Sequence, residues 1–236
     1  MERKLGREFT LIGYHPSLAE SLSKKIISLG ILNTEFELNT SPTTTQLHTQ
    51  MQYGRSRIDF AIKSESELLF VEVKNVVCAE NDESLAHRHA LFPIGEASRS
   101  ESGAVSERAI KHVHELTQLQ DTITDEGRRI RTAVLFIVNR SDCVAFRPCH
   151  EADMLFAQVL HQAYRKGVTL LAYQVNWSLV NNEYTATTGS LLPITFDAVV
   201  NSDDIDEAKL SSIVSSDHEM EVKDEQNSPM KNKRKR

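Results

Sequence analysis

Leu68-Leu69-Phe70-Val71-Glu72-Val73-Lys74-Asn75-Val76-Val77 is an apolar run with a carboxylate and an ammonium placed two residues apart inside it. A continuous run of this kind, rich in Val, Leu and Phe, reads as a strand covered on both faces. Strand side chains alternate, so Glu72 and Lys74 point the same way, one pleat apart. Upstream, Arg57-Ile58-Asp59-Phe60-Ala61-Ile62-Lys63 alternates polar and apolar residues as a half-buried strand does, with Asp59 on the face opposite Ile58, Phe60 and Ile62. The polar turn Lys63–Glu67 makes the two strands neighbours and lets Asp59 sit beside Glu72. Two carboxylates brought together beneath a sheet repel each other, and burying either alone costs several kcal/mol. A hard divalent cation, Mg2+ or Mn2+, relieves that repulsion. Lys74 then holds developing negative charge or positions an attacking water, which is the logic of metal-assisted phosphodiester hydrolysis. The plainer alternative is a Glu72–Lys74 ion pair, or two side chains on a solvated sheet face. Three residues do not choose between these readings.

Working outward, Leu18, Leu22, Ile26 and Leu29 recur at helical steps, and Gly30 supplies the stop. Asn39–Thr45 is a Thr/Ser/Pro loop, and 81–103 is a polar, irregular segment rich in Ser, Glu and His. Ser106 caps a helix through Val113, Leu116 and Leu119. Ile130–Val138 reads as a strand, Glu151–Lys166 as a helix ended by Gly167, and Val168–Val175 as another strand. Helices alternating with long apolar strands imply an α/β fold with a central mixed sheet covered on both faces. The expected organisation is one domain over residues 1–200, followed by an acidic and then basic tail at 201–236 that contains a short helix near Ile205–Val214.

The chain has 236 residues, 40% hydrophobic and 25% charged, enough for one sizeable core. No apolar run reaches the ~18–20 residues of a membrane span, and nothing at the N-terminus resembles a signal peptide. The expected setting is intracellular: cytoplasmic or, given Lys231-Asn232-Lys233-Arg234-Lys235-Arg236, nuclear, with no membrane partner. That basic cluster reads equally as a phosphate-binding tail or as a solvated, disordered tail of no specific role. Cys78, Cys143 and Cys149 lack a paired metal-binding spacing and read as reduced thiols. The net charge of -6 speaks against a nucleic-acid coat protein.

Six blocks of residues stand in one order: Gly54–Phe60, Phe70–Val76, Ser106-Glu107-Arg108 with Lys111-His112, Val134–Asp142, Phe146-Arg147-Pro148, and Gly167–Tyr173. Over roughly residues 11–176 the chain resembles the sugar fermentation stimulation protein (SfsA) family. That resemblance implies a core like the restriction-endonuclease, or PD-(D/E)XK, nucleases, with Asp59, Glu72 and Lys74 as the catalytic set and Asp59 and Glu72 as metal ligands. It also implies DNA as partner. Arg55 and Arg57 flank Asp59 and suit phosphate contacts, while Arg108, Lys111 and His112 share a helix face that could approach the same cleft. Three departures stand out. The OB-like barrel that precedes this core in the family is missing from the matched order. Lys24-Lys25 stands where relatives carry paired helix acids, with Glu20, a turn earlier, a poor substitute, and 94–104 is inserted before the Ser-Glu-Arg helix. Three functions remain open: a metal-dependent nuclease, a nucleic-acid-binding or regulatory module without cleavage, and a protein-interaction domain.

Overall fold

The computed structural model describes residues 10–38, 45–54, 56–81, 87–95 and 104–215. Its centre is a six-stranded sheet in the order β1-β2-β3-β6-β8-β9. The strands are β1 (Gln46–Tyr53), β2 (Ser56–Lys63), β3 (Glu67–Val76), β6 (Arg129–Val138), β8 (Thr169–Val180) and β9 (Glu183–Leu192). β3, β6 and β8 run parallel, and antiparallel partners extend the sheet on both sides. A smaller sheet joins β4 (Cys78–Ala79), β5 (His89–Phe92) and β7 (Ala145–Pro148). The mixed sheet flanked by helices is the α/β architecture read from the sequence.

Burial on both faces explains the apolar runs of β3 and β6. On one face Phe60, Ile62, Leu69, Val71, Leu135 and Ile137 pack under α1 (Pro16–Ser28). On the other, Phe70, Val134 and Phe136 meet Ile110 and Val113 of α2 (Glu107–Leu119) and Phe156 of α3 (Met154–Arg165). Each such side chain removed from water contributes roughly 1.5–3 kcal/mol.

The helix ends follow their local chemistry. Ser106 Oγ accepts from Ala109 N at the start of α2, and Asp153 caps α3 through Phe156 N at 3.0 Å. Gly30, with φ +69°, carries the chain out of α1 as expected. The buried face of α1 differs from the expected stripe: it is Ala19, Ser23, Ile26 and Ile27, and Leu29 is 64% exposed. The expected short C-terminal helix forms as α4 (Glu207–Ser215), and Leu210 and Ile213 are buried in the α2/α3 core. The packed body therefore continues past residue 200, to Ser215. The rest of the tail, Arg55, and 96–103 of the insertion lie outside the described residues.

Candidate functional site

The alternation of β2 breaks at Asp59. Phe60 and Ile62 pack on the α1 face, but Ile58 packs with the α2 core. This departs from the simple alternation expected of Arg57–Lys63. Opposite Asp59 stands Gln50, whose φ of +53° is left-handed, and the β1–β2 register omits this pair while aligning Thr49 with Phe60 and Met51 with Ile58. The β2–β3 ladder also stops at Phe60–Val71. Asp59 takes over where the ladder ends: its Oδ2 accepts from Val73 N at 2.8 Å. The site thus lies in the notch where β2 separates from β3.

Gln50 joins the notch to α1. Its Nε2 donates to Asp59 Oδ1 at 3.2 Å and also to Glu20 Oε1. On the other side, Glu72 is 4% exposed, and its Oε1 accepts from Lys74 Nζ at 2.7 Å and from His112 Nδ1 on α2. Arg108 Nε lies 3.5 Å from His112 Nε2. With its Nδ1 hydrogen facing Glu72, His112 donates to the carboxylate. One turn on, Glu115 accepts from Ser56 Oγ at 2.6 Å and ties the start of β2 to α2.

The two carboxylates are electrostatically unequal. Burial, and then the charge of Glu72, push Asp59 above the ordinary carboxylate range despite hydrogen bonds from Val73 N and Gln50. Burial also pushes Glu72 up, but the His112 hydrogen bond and the Lys74 charge outweigh it and leave Glu72 below its usual value. Of the two carboxylates, Asp59 is therefore the first to take up a proton as pH falls.

The residue set anticipated from the sequence is partly assembled here. Asp59, Glu72, Lys74 and His112 meet in the notch, with Arg108 beside His112. Arg57 is exposed on β2 two residues before Asp59. Lys111 is half-buried on α2, whereas the contacts to Glu72 come from Lys74 and His112. Arg55 is outside the described residues. Gln50 and the approach of Glu20 were not anticipated. Their one local signal is position: Gln50 faces Asp59 only once β1 and β2 are aligned.

As a cation site, the donors suit a small hard ion that keeps water or phosphate oxygens in its shell, as Mg2+ does with one or two carboxylates. The repulsion that raises Asp59 is what such an ion relieves. Among the described residues no three His, Cys, Asp or Glu side chains converge closely enough to form a complete protein cage. Cys149 Sγ donates to Glu151 at 3.5 Å, and His150 lies 3.0 Å from Asp197. No helix among the described residues is long and apolar enough to cross a membrane.

Residues 17–181 match the family model described as the sugar fermentation stimulation protein RE domain. The sugar fermentation stimulation protein homolog of Alkaliphilus metalliredigens is 31% identical over 186 residues, covering 77% of this chain and 69% of that protein. The homolog of Methanosphaera stadtmanae is 30% identical over 184 residues, covering 78% and 63%. Among solved structures, Pyrococcus furiosus SfsA in complex with Ca2+ shares the fold with a TM-score of 0.56 at 23% identity, covering 76% of this chain and 64% of that one. The chain thus spans about two thirds of the length of these relatives. With seven tenths of its residues inside the matched region, the chain belongs to the sugar fermentation stimulation protein family.

Proposed function

We propose that this domain binds DNA and uses the Asp59–Glu72 notch as a divalent-cation site for phosphodiester hydrolysis. The observation that carries the reading is the crowding of Asp59 against Glu72, with burial and the Glu72 charge raising Asp59. The Ca2+ bound by the Pyrococcus furiosus protein supports it, since Ca2+ seeks the same oxygen donors as Mg2+ and Mn2+. Asp59 and Glu72 would hold the ion, and Glu20, tethered through Gln50, stands behind them as a third carboxylate. When bound, such an ion polarises a phosphoryl oxygen and acidifies a water.

The chain's own residues do the rest. Lys74 places an ammonium against Glu72 and is positioned to stabilise negative charge on a phosphate in the notch. His112 fixes the Glu72 carboxylate and carries a proton at Nδ1. The exposed Arg57 and Arg108 provide phosphate contacts along the rim, to which Lys111 of the same helix and Arg55 belong by sequence.

A second reading, DNA binding without cleavage, is favoured by one observation: Lys74 and His112 both already occupy Glu72 Oε1. Calorimetry with Mn2+ and Mg2+, combined with plasmid nicking, separates the two for the wild type, Asp59→Ala and Glu72→Ala. A nuclease loses ion binding and nicking together in both variants. A binding module binds DNA in a salt-dependent manner but does not nick it. A wild type that binds neither ion overturns the catalytic reading.

A further inference from the structure

The two carboxylate oxygens of Asp59 are held by donors of different kinds. Oδ2 accepts from the backbone N of Val73 at 2.8 Å, a donor that cannot turn away while β3 stays in the sheet. Oδ1 accepts from Gln50 Nε2 at 3.2 Å, and the same Nε2 donates to Glu20 Oε1. A primary amide has a donor end and an acceptor end, and two carboxylate oxygens call for the donor end. The NH2 group of Gln50 therefore stands between Asp59 and Glu20, where a cation would draw the same two oxygens together. The backbone is bent to put it there. Gln50 has φ +53°, a conformation strained for any residue but glycine, and its pairing with Asp59 is missing from the β1–β2 register. Irregularities of this kind re-aim a side chain next to a functional site. Glycine would take this φ freely, so what the position gains from glutamine is its amide.

Taking the notch as the cation site proposed above, on which this step rests, we infer that Gln50 is its gate and its exchangeable ligand. In the ion-free protein the NH2 group of Gln50 closes Asp59 Oδ1 and Glu20 Oε1. When the site fills, Gln50 releases both oxygens and turns its amide over, presenting its own Oε1. A side-chain amide oxygen is a neutral donor of the kind Ca2+ accepts alongside carboxylates. The movable donor on Asp59 is thus the one that yields, while Val73 N keeps the carboxylate in place. Glutamine also tunes the site. It adds no negative charge to the notch that already crowds Asp59 against Glu72, and it holds ion affinity below what a third carboxylate at this position would give.

Nuclear magnetic resonance of the labelled full chain, titrated with Ca2+ and no DNA, tests the gate. The side-chain amide of Gln50 is identified by its absence from Gln50→Gly, a variant that the left-handed φ accommodates. The expected result is that the Gln50 amide pair and its Cδ carbon shift along the isotherm that calorimetry gives for Ca2+. Gln50→Glu should bind Ca2+ at least ~10-fold more tightly than the wild type. A wild type that binds Ca2+ while the Gln50 amide stays unmoved overturns the inference and leaves the cation site standing. So does a Gln50→Glu variant, folded by far-UV circular dichroism, that binds no more tightly. The amide shift is read on the wild type and needs no folded glutamate variant. Failure of both the wild type and folded Gln50→Glu to bind Ca2+ overturns the cation site itself, and the gate with it.

Discussion

Asp59 and Glu72 differ in what they contribute to folding, and the difference has a direction in pH. Asp59 is raised, so the folded chain holds its proton more tightly than the unfolded chain does. Its contribution is complete at low pH and is lost as pH rises above its ordinary value of 3.8 and through the higher folded value. Glu72 is lowered, so its contribution is present above 4.5 and is lost as pH falls through the lower folded value. Asp59→Asn should therefore raise Tm by a few degrees at pH 7, with the gain shrinking as pH falls through the raised folded value towards 3.8, as thermal scans against pH would read. The same variant should lose divalent-ion binding, a stability gain bought with the loss of the site. Unchanged ion affinity in Asp59→Asn would remove Asp59 from the site. Glu72 and Lys74 were legible in the sequence because charge inside an apolar run has few inexpensive explanations. Gln50 and its link to Glu20 were not, because a polar residue in a polar stretch carries no local mark of what it faces thirty residues away.

At the scale of elements, the β8–β9 hairpin depends on close backbone approach. A Cβ at Gly189 would lie 2.2 Å from the Gln174 carbonyl oxygen, beside the register shift at Tyr173 and Val175. Backbone cannot yield as a flexible side chain does, so Gly189→Ala should cost about 1–3 kcal/mol by chemical denaturation. The small sheet depends on Arg147, which is 8% exposed and pairs with Glu80 at 2.7 Å, Glu151 at 2.8 Å and Asp197 at 3.2 Å. Glu151 is held down to about 2 by the Arg147 hydrogen bonds, against a smaller opposing effect of burial. Its contribution is complete above its ordinary 4.5 and is lost as pH falls towards about 2. Arg147→Met leaves three carboxylates without their shared cation and should cost about 3 kcal/mol, the low end for a broken buried pair because Glu151 and Asp197 are partly exposed. That loss should be largest near neutral pH and smaller in acid, as urea titrations at pH 7 and pH 3 would measure.

For the molecule as a whole, the C-terminal segment braces α3 and, through α4, the helix α2 that lines the notch. Arg165 pairs with Asp203, Gln158 donates to the Asp204 carbonyl, and α4 seats Leu210 and Ile213 against the core containing α2. Truncation after Ser215 should leave Tm within about a degree of the full chain. Truncation after Asn201 removes two buried apolar side chains and should cost at least the ~2–5 kcal/mol of one large-to-small core change. Comparing Tm of the two truncations decides whether the body ends near residue 200 or at Ser215. The composition shift at 201 suggested the earlier boundary, because acid-rich sequence reads as unfolded. Two apolar residues at helical spacing outweighed it once α2 offered them a surface.

The sequence by itself determined the α/β class, the central strands, most helix limits and the placing of Asp59 beside Glu72 and Lys74. These follow from periodicity, caps and misplaced charge, which are local properties. Only the tertiary structure decided which residues meet across elements: Gln50 with Glu20 and Asp59, His112 with Glu72, and β1 and β9 at the sheet edges. Such meetings depend on register and on one left-handed residue that breaks a strand's alternation, and neither is encoded within a single segment.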